Sequence, residues 1–330
     1  MTTITVLGAG CWGSALALQL ASNQHQVYIW DHDPQHVRNL KNDRQNKKYL
    51  PGIAWPDNLY PVNDMASYIK QSDYILVAVP SFAFHQVILK VKSHLTQSVP
   101  LVWGTKGVEP KQKKFLHDIV SAEFGKDYPY AVLAGPSFAK EVALQQPTAV
   151  TIASLDIDYA KKLSQVFHSA TFRPYTSTDV MGAEVGGLVK NVLAIAIGIA
   201  DGLGYGANTR AAMITRGLHE MLTFGLKLGA QAATLYGLTG MGDLILTATD
   251  NQSRNRRFGL ALGQGKTVAA AKKIIGQVIE GCENAELLYQ ISQKLKVEMP
   301  ICSQVFAIIA EQLPPPQAVK NLLDRALKSE

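Results

Sequence analysis

The sequence predicts an α/β fold: a doubly wound, mostly parallel sheet in residues 1–179, followed by an all-α C-terminal domain in residues 180–330. Three observations carry this expectation. The first half alternates short runs rich in Val, Ile and Leu with helical stretches, the pattern of strands buried on both faces. The first of these runs ends in the glycines of "LGAGCWG". From about Val180 onward strand signals stop and helical spacing takes over. A chain of 330 residues also favours two domains over one.

Taken in order, "ITVLGAG" (4–10) is a strand closed by glycines, and 12–24 has apolar residues at helical spacing. "QVYIW" (26–30), "YILVAVP" (74–80), "PLVWGTKG" (100–107) and "YAVLAG" (130–135) read as further buried strands. "TAVTIAS" (148–154) and "TFRPYTS" (171–177), with a helix between them, extend the sheet. Helices follow at 181–203, 208–228, 240–250, 253–262, 267–275, 281–296, 301–312 and 317–328. The breaks are glycine-rich ("DGLGYGA") or proline-rich ("LPPPQ").

Composition narrows the function classes. Hydrophobic residues make up 47% and charged residues 18%, which suits a packed protein and excludes a disordered one. A net charge of +6, spread along the chain, suits an anionic small molecule. Without an aromatic-studded basic face, no nucleic-acid partner is expected. Cys11, Cys282 and Cys302 form neither a C-x-x-C pair nor an even disulfide set, so a reducing cytoplasm is expected. No metal ligand set is read. The N-terminus lacks the basic region of a signal peptide. The longest apolar run, 191–200 extended around Lys190, falls short of the ~20 residues of a membrane span, so no insertion is expected.

Gly8, Gly10 and Gly13 form G-x-G-x-x-G between a strand and a helix, the context in which that pattern binds a dinucleotide. The first glycine permits the turn, the second lets a pyrophosphate approach, and the third lets helix and strand pack. The helix N-terminus adds N–H groups and partial positive charge. A Rossmann-type N-terminal domain is therefore expected. Asp31 and His32 follow the second strand, where the adenosine ribose is read. Asp31 favours a free 2′-hydroxyl and His32 could tolerate a 2′-phosphate; a solvated turn is equally open.

Two lookalikes fail. "AGPSFA" (134–139) follows a strand like a hydrolase nucleophile elbow but lacks the last glycine. "GLALGQGKT" (259–267) has one residue too many for a P-loop and follows a helix. At the sheet's C-terminal edge lie Lys106 of "WGTKG" and Gly135, Ser137 and Ala139 of "AGPSFAKE". In the helical half, Asp243 and Thr247 are four apart and share a helix face. "SRNRRFG" offers Arg254, Arg256 and Arg257 around Asn255, and arginine's fork suits phosphate oxygens. Taken alone, that stretch also reads as a solvated basic face. Lys190 sits among Leu188, Val189, Val192 and Leu193. Desolvation of such a lysine favours its neutral form and fits it to exchange a proton with a carbonyl or hydroxyl oxygen. The other reading is a lysine that snorkels to water.

The ordered set "GAGCWG", "WGTKG", "AGPSFAKE", "EVGGLVKNVLAIAIGIADGLGYGANTRAAMITRGL", "GLTGMGDLILT", "SRNRRFG" and "VIEG" resembles the bacterial-type NAD(P)-dependent glycerol-3-phosphate dehydrogenases. The resemblance runs from the first strand to about residue 301. It implies reversible reduction of dihydroxyacetone phosphate to sn-glycerol 3-phosphate by NAD(P)H, supplying phospholipid synthesis, in a homodimer. By the same resemblance, Lys190 is the proton donor and acceptor, beside Asn191. Lys106 contacts substrate and cofactor, Gly135 and Ser137 the substrate, and Ala139 the cofactor. Asp243 and Thr247 support the lysine and the substrate hydroxyls. Ser253, Arg254 and Asn255 meet the substrate's phosphate end, with Arg254 also near the cofactor. Trp12, Val278 and Glu280 are cofactor contacts, and His32 joins them from its place after the second strand rather than from the resemblance. Two positions depart from the family pattern: Cys11 replaces a Ser, Thr or Ala, and "DHD" at 31–33 replaces a small residue followed by Arg.

Overall fold

The computed structural model describes residues 1–326. The chain divides into two compact units, Met1–Glu184 and Val185–Glu330. In the first unit the strands are β1 Thr3–Leu7, β2 Gln26–Trp30, β3 Gln45–Asn46, β4 Leu50–Ala54, β5 Leu59–Val62 and β6 Tyr74–Val77. They continue as β7 Leu101–Trp103, β8 Val108–Glu109, β9 Lys114–Phe115, β10 Tyr130–Ala134, β11 Thr148–Ala153 and β12 Phe172–Ser177. Eight of them form one sheet in the order β12-β11-β10-β7-β6-β1-β2-β5. Every pairing in it is parallel except β10 with β11.

The helices α1 Cys11–Ser22, α2 Pro34–Asp43, α3 Met65–Ile69, α4 Ser81–His94, α5 Leu116–Phe124, α6 Ala139–Ala143 and α7 Ile157–Phe167 belong to this unit. Alternate residues of one strand feed two cores. Ile4, Val6 and Leu76 pack with Leu16, Leu20, Leu163 and Phe167, whereas Leu7, Ile75 and Val77 pack with Phe84, Ile88, Trp103 and Leu116. Both faces are covered, which is why the strands read as continuous apolar runs.

Strand β5 and the hairpins β3–β4 and β8–β9 escape the sequence reading. Strand β5 carries Pro61, tolerated because it lies at the sheet edge, where a missing N–H breaks no ladder. The hairpin strands have two to five residues, too few to show a period. The first strand ends at Leu7, so Gly8 to Gly10 form the turn itself.

The helix α8 Val180–Gly202 begins in the first unit, where Val180 and Ala183 join its core, and continues into the second. It has 23 residues, long and apolar enough to cross a membrane by length and composition alone, and its apolar window is 100% buried inside the fold. The apolar run counted from 191 understates it, because Gly182, Gly186 and Gly187 continue the helix although glycine is a poor helix former.

The second unit adds α9 Ala207–Lys227, α10 Ala232–Tyr236, a π-helical turn at Leu238–Gly242, α11 Asp243–Thr249, α12 Arg254–Gly263 and α13 Val268–Ile275. It ends with α14 Glu280–Leu295, α15 Pro300–Ala310 and α16 Pro315–Leu323. The single helix expected at 240–250 is thus a π turn followed by α11; Gly240 packs so closely that a Cβ there would lie 2.0 Å from Leu235 O. Residues 327 and 328 of the helix expected at 317–328 lie outside the described residues. Helices α8 and α12 meet backbone to backbone. A Cβ on Gly198 would come within 2.3 Å of Arg256 O, and one on Gly259 within 2.1 Å of Ile195 O.

Candidate active site

In the first unit the loops with chemistry follow the C-terminal ends of parallel strands. Strand β1 is flanked by β2 and β6, so the chain leaves it in one direction for β2 and returns on the other side for β6. Such a switch point opens a crevice for ligands. Gly8 has φ +110°, and a Cβ there would meet Ala78 O at 2.8 Å. A Cβ on Gly13 would strike Gly8 O at 1.9 Å, so helix α1 packs against the turn only as glycine. Gly10 differs: its Cβ would meet nothing within 4 Å, and it starts α1 without a side-chain cap. The N-terminus of α1, which has no side-chain cap, therefore opens past Gly10 onto free space, a cradle fitted to a pyrophosphate.

Two neighbouring loops are tied to this turn. The carboxylate of Asp31, just past β2, accepts from Ala9 N at 3.0 Å and from Asp33 N at 3.0 Å. Trp12 Nε1 donates to Gly104 O at 3.2 Å, joining the glycine turn to the loop of half-buried Lys106. Past β10, Gly135 has φ +126°, and Ser137 Oγ donates to Gly135 O at 3.0 Å just ahead of Ala139, the first residue of α6. His32 projects outward with its side chain 85% exposed.

In the second unit Lys190 is buried, only 5% exposed, and so is Asp243 at 1%. Lys190 Nζ donates to Asp243 Oδ1 at 2.7 Å and to Thr247 Oγ1 at 2.8 Å. Thr247 Oγ1 in turn donates to Asp243 Oδ1 at 3.2 Å. The lysine does not snorkel. The carboxylate of Asp243 offsets part of the cost of burying the amine, and the two contacts hold it in a dry, fixed geometry. The close approach of the π turn makes this meeting possible: a Cβ on Gly186, one turn before Lys190, would lie 2.2 Å from Thr239 O.

A second polar chain runs beside it. Asn255 Nδ2 donates to Asn191 Oδ1 at 2.9 Å, and Asn191 Nδ2 donates to Glu280 Oε2 at 3.1 Å. Asn255 Oδ1 accepts from Gly281 N at 3.0 Å, at the start of α14. Ser253 caps α12 by accepting from Arg256 N at 3.2 Å, and half-buried Arg254 is the helix's first residue. Val278 is exposed two residues before α14.

The family model described as NAD-dependent glycerol-3-phosphate dehydrogenase N-terminus matches residues 3–160, and that described as its C-terminus matches residues 179–320. The chain belongs to the NAD-dependent glycerol-3-phosphate dehydrogenases. It is 50% identical over 328 residues to a glycerol-3-phosphate dehydrogenase [NAD(P)+] of Legionella pneumophila (strain Paris), covering 99% of each chain. A like-named protein of Shewanella halifaxensis is 49% identical, covering 99% of this chain and 97% of that one. The crystal structure of glycerol-3-phosphate dehydrogenase from Coxiella burnetii aligns with TM-score 0.95 and 46% identity, over 98% of this chain and 99% of that chain.

Within this glycerol-3-phosphate dehydrogenase family chain, the structure brings Lys190, Asp243 and Thr247 into direct contact, and links Asn191, Asn255 and Glu280 in a separate chain. The sequence offered Arg256 as a fork for phosphate oxygens, but its fork is taken up by protein groups, among them Asp201, which the sequence reading missed. Arg256 is buried and donates to Asp201, to Ala248 O at 3.2 Å and to Asn251 Oδ1 at 3.1 Å, and Arg210 joins Asp201 at 3.0 Å. Arg256 therefore fixes the loop between α11 and α12, which carries Ser253 at its end. Its signal was the odd spacing of arginines in "SRNRRFG", where the middle one faces inward and Arg257 faces solvent.

Proposed function

We propose that this chain reduces dihydroxyacetone phosphate reversibly to sn-glycerol 3-phosphate with NAD(P)H, and that its product feeds phospholipid synthesis. The observation that carries this reading is the buried lysine held between Asp243 and Thr247. A dry, oriented ammonium suits protonation of an oxygen that gains negative charge, and help of this kind is worth about 10²–10⁴ in rate. The names of the relatives support the substrate and cofactor class.

In this reading the glycine turn of Gly8, Gly10 and Gly13 holds the cofactor's pyrophosphate, with Trp12, His32, Lys106, Ala139, Arg254, Val278 and Glu280 as further contacts. When bound, the nicotinamide supplies the hydride. Arg254, with Ser253 and Asn255, holds the substrate phosphate by charge-assisted bonds, and Lys106, Gly135, Ser137 and Asn191 line the rest of the substrate. Lys190 gives its proton to the forming alkoxide while Asp243 and Thr247 keep the ammonium aimed. The cofactor domain is taken as residues 1–179 and the catalytic domain as residues 180–330, with the opening residues of α8 up to Glu184 packed in the first unit.

A homodimer in a reducing cytoplasm completes the proposal; three cysteines joined in no disulfide among the described residues support the compartment, and exposed Leu226 and Leu323 supply apolar surface for a partner copy. The test is the initial rate of absorbance loss at 340 nm with dihydroxyacetone phosphate and either reduced cofactor. Turnover is expected, and phosphate-free ketoacids should not be turned over. A flat trace with both cofactors contradicts the reading.

A further inference from the structure

The open question of the sequence, a free 2′-hydroxyl or a 2′-phosphate, turns on Asp31 and His32. Strands β1 and β2 pair in parallel with Leu7 opposite Trp30, so Asp31 emerges beside Gly8 and Ala9 of the phosphate turn. Its side chain is 11% exposed, against 85% for His32. Both carboxylate oxygens are fixed: Oδ2 accepts from Ala9 N at 3.0 Å, and Oδ1 accepts from Asp33 N at 3.0 Å with His32 Nδ1 at 3.1 Å. A carboxylate bonded to the turn's own backbone cannot swing aside without releasing that turn.

The surroundings keep the locality negative. Asp33, two residues on, caps α2 by accepting from Gln35 N at 2.9 Å, and the backbone N–H groups of His36 and Gln35 hold its carboxyl below the usual carboxylate range. The cations facing the pair are few. His36 is buried with Nε2 at 3.2 Å from Ala9 O, and Lys48 lies over the Tyr49 ring at 4.9 Å. Exposed His32 reaches inward only to Asp31 itself. Of the nearby arginines, Arg44 is turned to Leu59 O at 3.0 Å and to Pro56 O, and Arg38 of α2 to Gln35 Oε1 at 2.6 Å.

We propose that Asp31 makes this chain selective for NADH over NADPH, by holding a fixed carboxylate where the 2′-position of the adenosine ribose is read. This rests on the reading above that the cofactor's pyrophosphate lies on the glycine turn. A ribose 2′-hydroxyl can donate to the Asp31 carboxylate. A 2′-phosphate brings up to two negative charges against the fixed Asp31 carboxylate, with Asp33 close behind and with exposed His32 and Lys48 as the nearby cations.

The experiment measures dissociation constants of NADH and NADPH for the full chain by nicotinamide fluorescence, in the wild type, Asp31→Asn and His32→Ala. Thermal shifts with NAD+ and NADP+ are read in parallel, so binding is scored without turnover. The wild type is expected to bind NADH at least about tenfold more tightly, and Asp31→Asn to narrow the ratio by about tenfold, mostly through tighter NADPH. His32→Ala, at an exposed cofactor contact, should weaken NADH and NADPH alike and so leave their ratio within about twofold; a larger change in the ratio there than in Asp31→Asn also overturns the proposal. Equal or tighter binding of NADPH by the wild type overturns the proposal, as does an unchanged ratio in Asp31→Asn. Oxidation of NADH by dihydroxyacetone phosphate, assayed on the same wild-type preparation, judges the proposed reaction separately. Turnover with no preference between cofactors sinks the role of Asp31 alone, and tight, selective NADH binding without turnover sinks the reaction alone.

Discussion

Lys190 Nζ lies 2.7 Å from Asp243 Oδ1, across 53 residues of sequence, with both side chains almost wholly out of water. An ion pair so placed is held by mutual need. Removing one partner leaves a buried charge without compensation, typically at about 3–5 kcal/mol. Asp243→Asn keeps an acceptor for the ammonium but removes the charge. It should lower the thermal midpoint and reduce turnover, while Km for dihydroxyacetone phosphate changes less than kcat. Denaturant melts and steady-state rates check this, and an unaltered midpoint would mean the pair carries little.

The crossing of α8 and α12 should tolerate no side chain at its contact. Gly259→Ala adds a Cβ that would sit 2.1 Å from Ile195 O, so the helices must separate. Overpacking of this kind costs typically about 1–3 kcal/mol. Helix α12 carries Arg254 and Asn255, so the substrate's Km should rise along with the loss of stability. Gly10→Ala is the control for stability, since its Cβ meets nothing within 4 Å; it should leave the melt nearly unchanged and weaken cofactor binding.

Glu220 of α9 accepts from Ile301 N at 2.6 Å and Cys302 N at 3.1 Å, at the N-terminus of α15. Burial pushes its carboxyl up to about 7 from 4.5, against the pull of those N–H groups. The folded chain therefore holds a proton there between about pH 4.5 and 7 that the unfolded chain gives up. Stability falls as pH rises through that window, by up to about 1.4 kcal/mol per pH unit from this group. Chemical denaturation at several pH values should show that slope in the wild type and a shallower one in Glu220→Gln. Equal slopes would remove Glu220 as the cause.

The sequence made the two halves of the molecule legible for a physical reason: both-face burial writes continuous apolar runs, and Gly8, Gly10 and Gly13 each answer a distinct geometric demand. The shared helix face of Asp243 and Thr247 was readable from spacing alone, as was the oddity of Lys190. Their meeting was not, because the close approach that Gly186 allows to Thr239 is a long-range event with no local signature. Strand β5 stayed hidden since Pro61 reads as a breaker away from a sheet edge. The chain of Asn255, Asn191 and Glu280 was equally invisible, its members drawn from three helices.

The role of Lys190 is tested most directly by Lys190→Ala, assayed with dihydroxyacetone phosphate and NADH, with NADH binding measured on the same sample to show that the glycine turn is intact. Turnover should fall by about 10²–10⁴ while NADH affinity holds. Near-full turnover in a variant that still binds NADH would contradict the assignment of Lys190 as the proton donor.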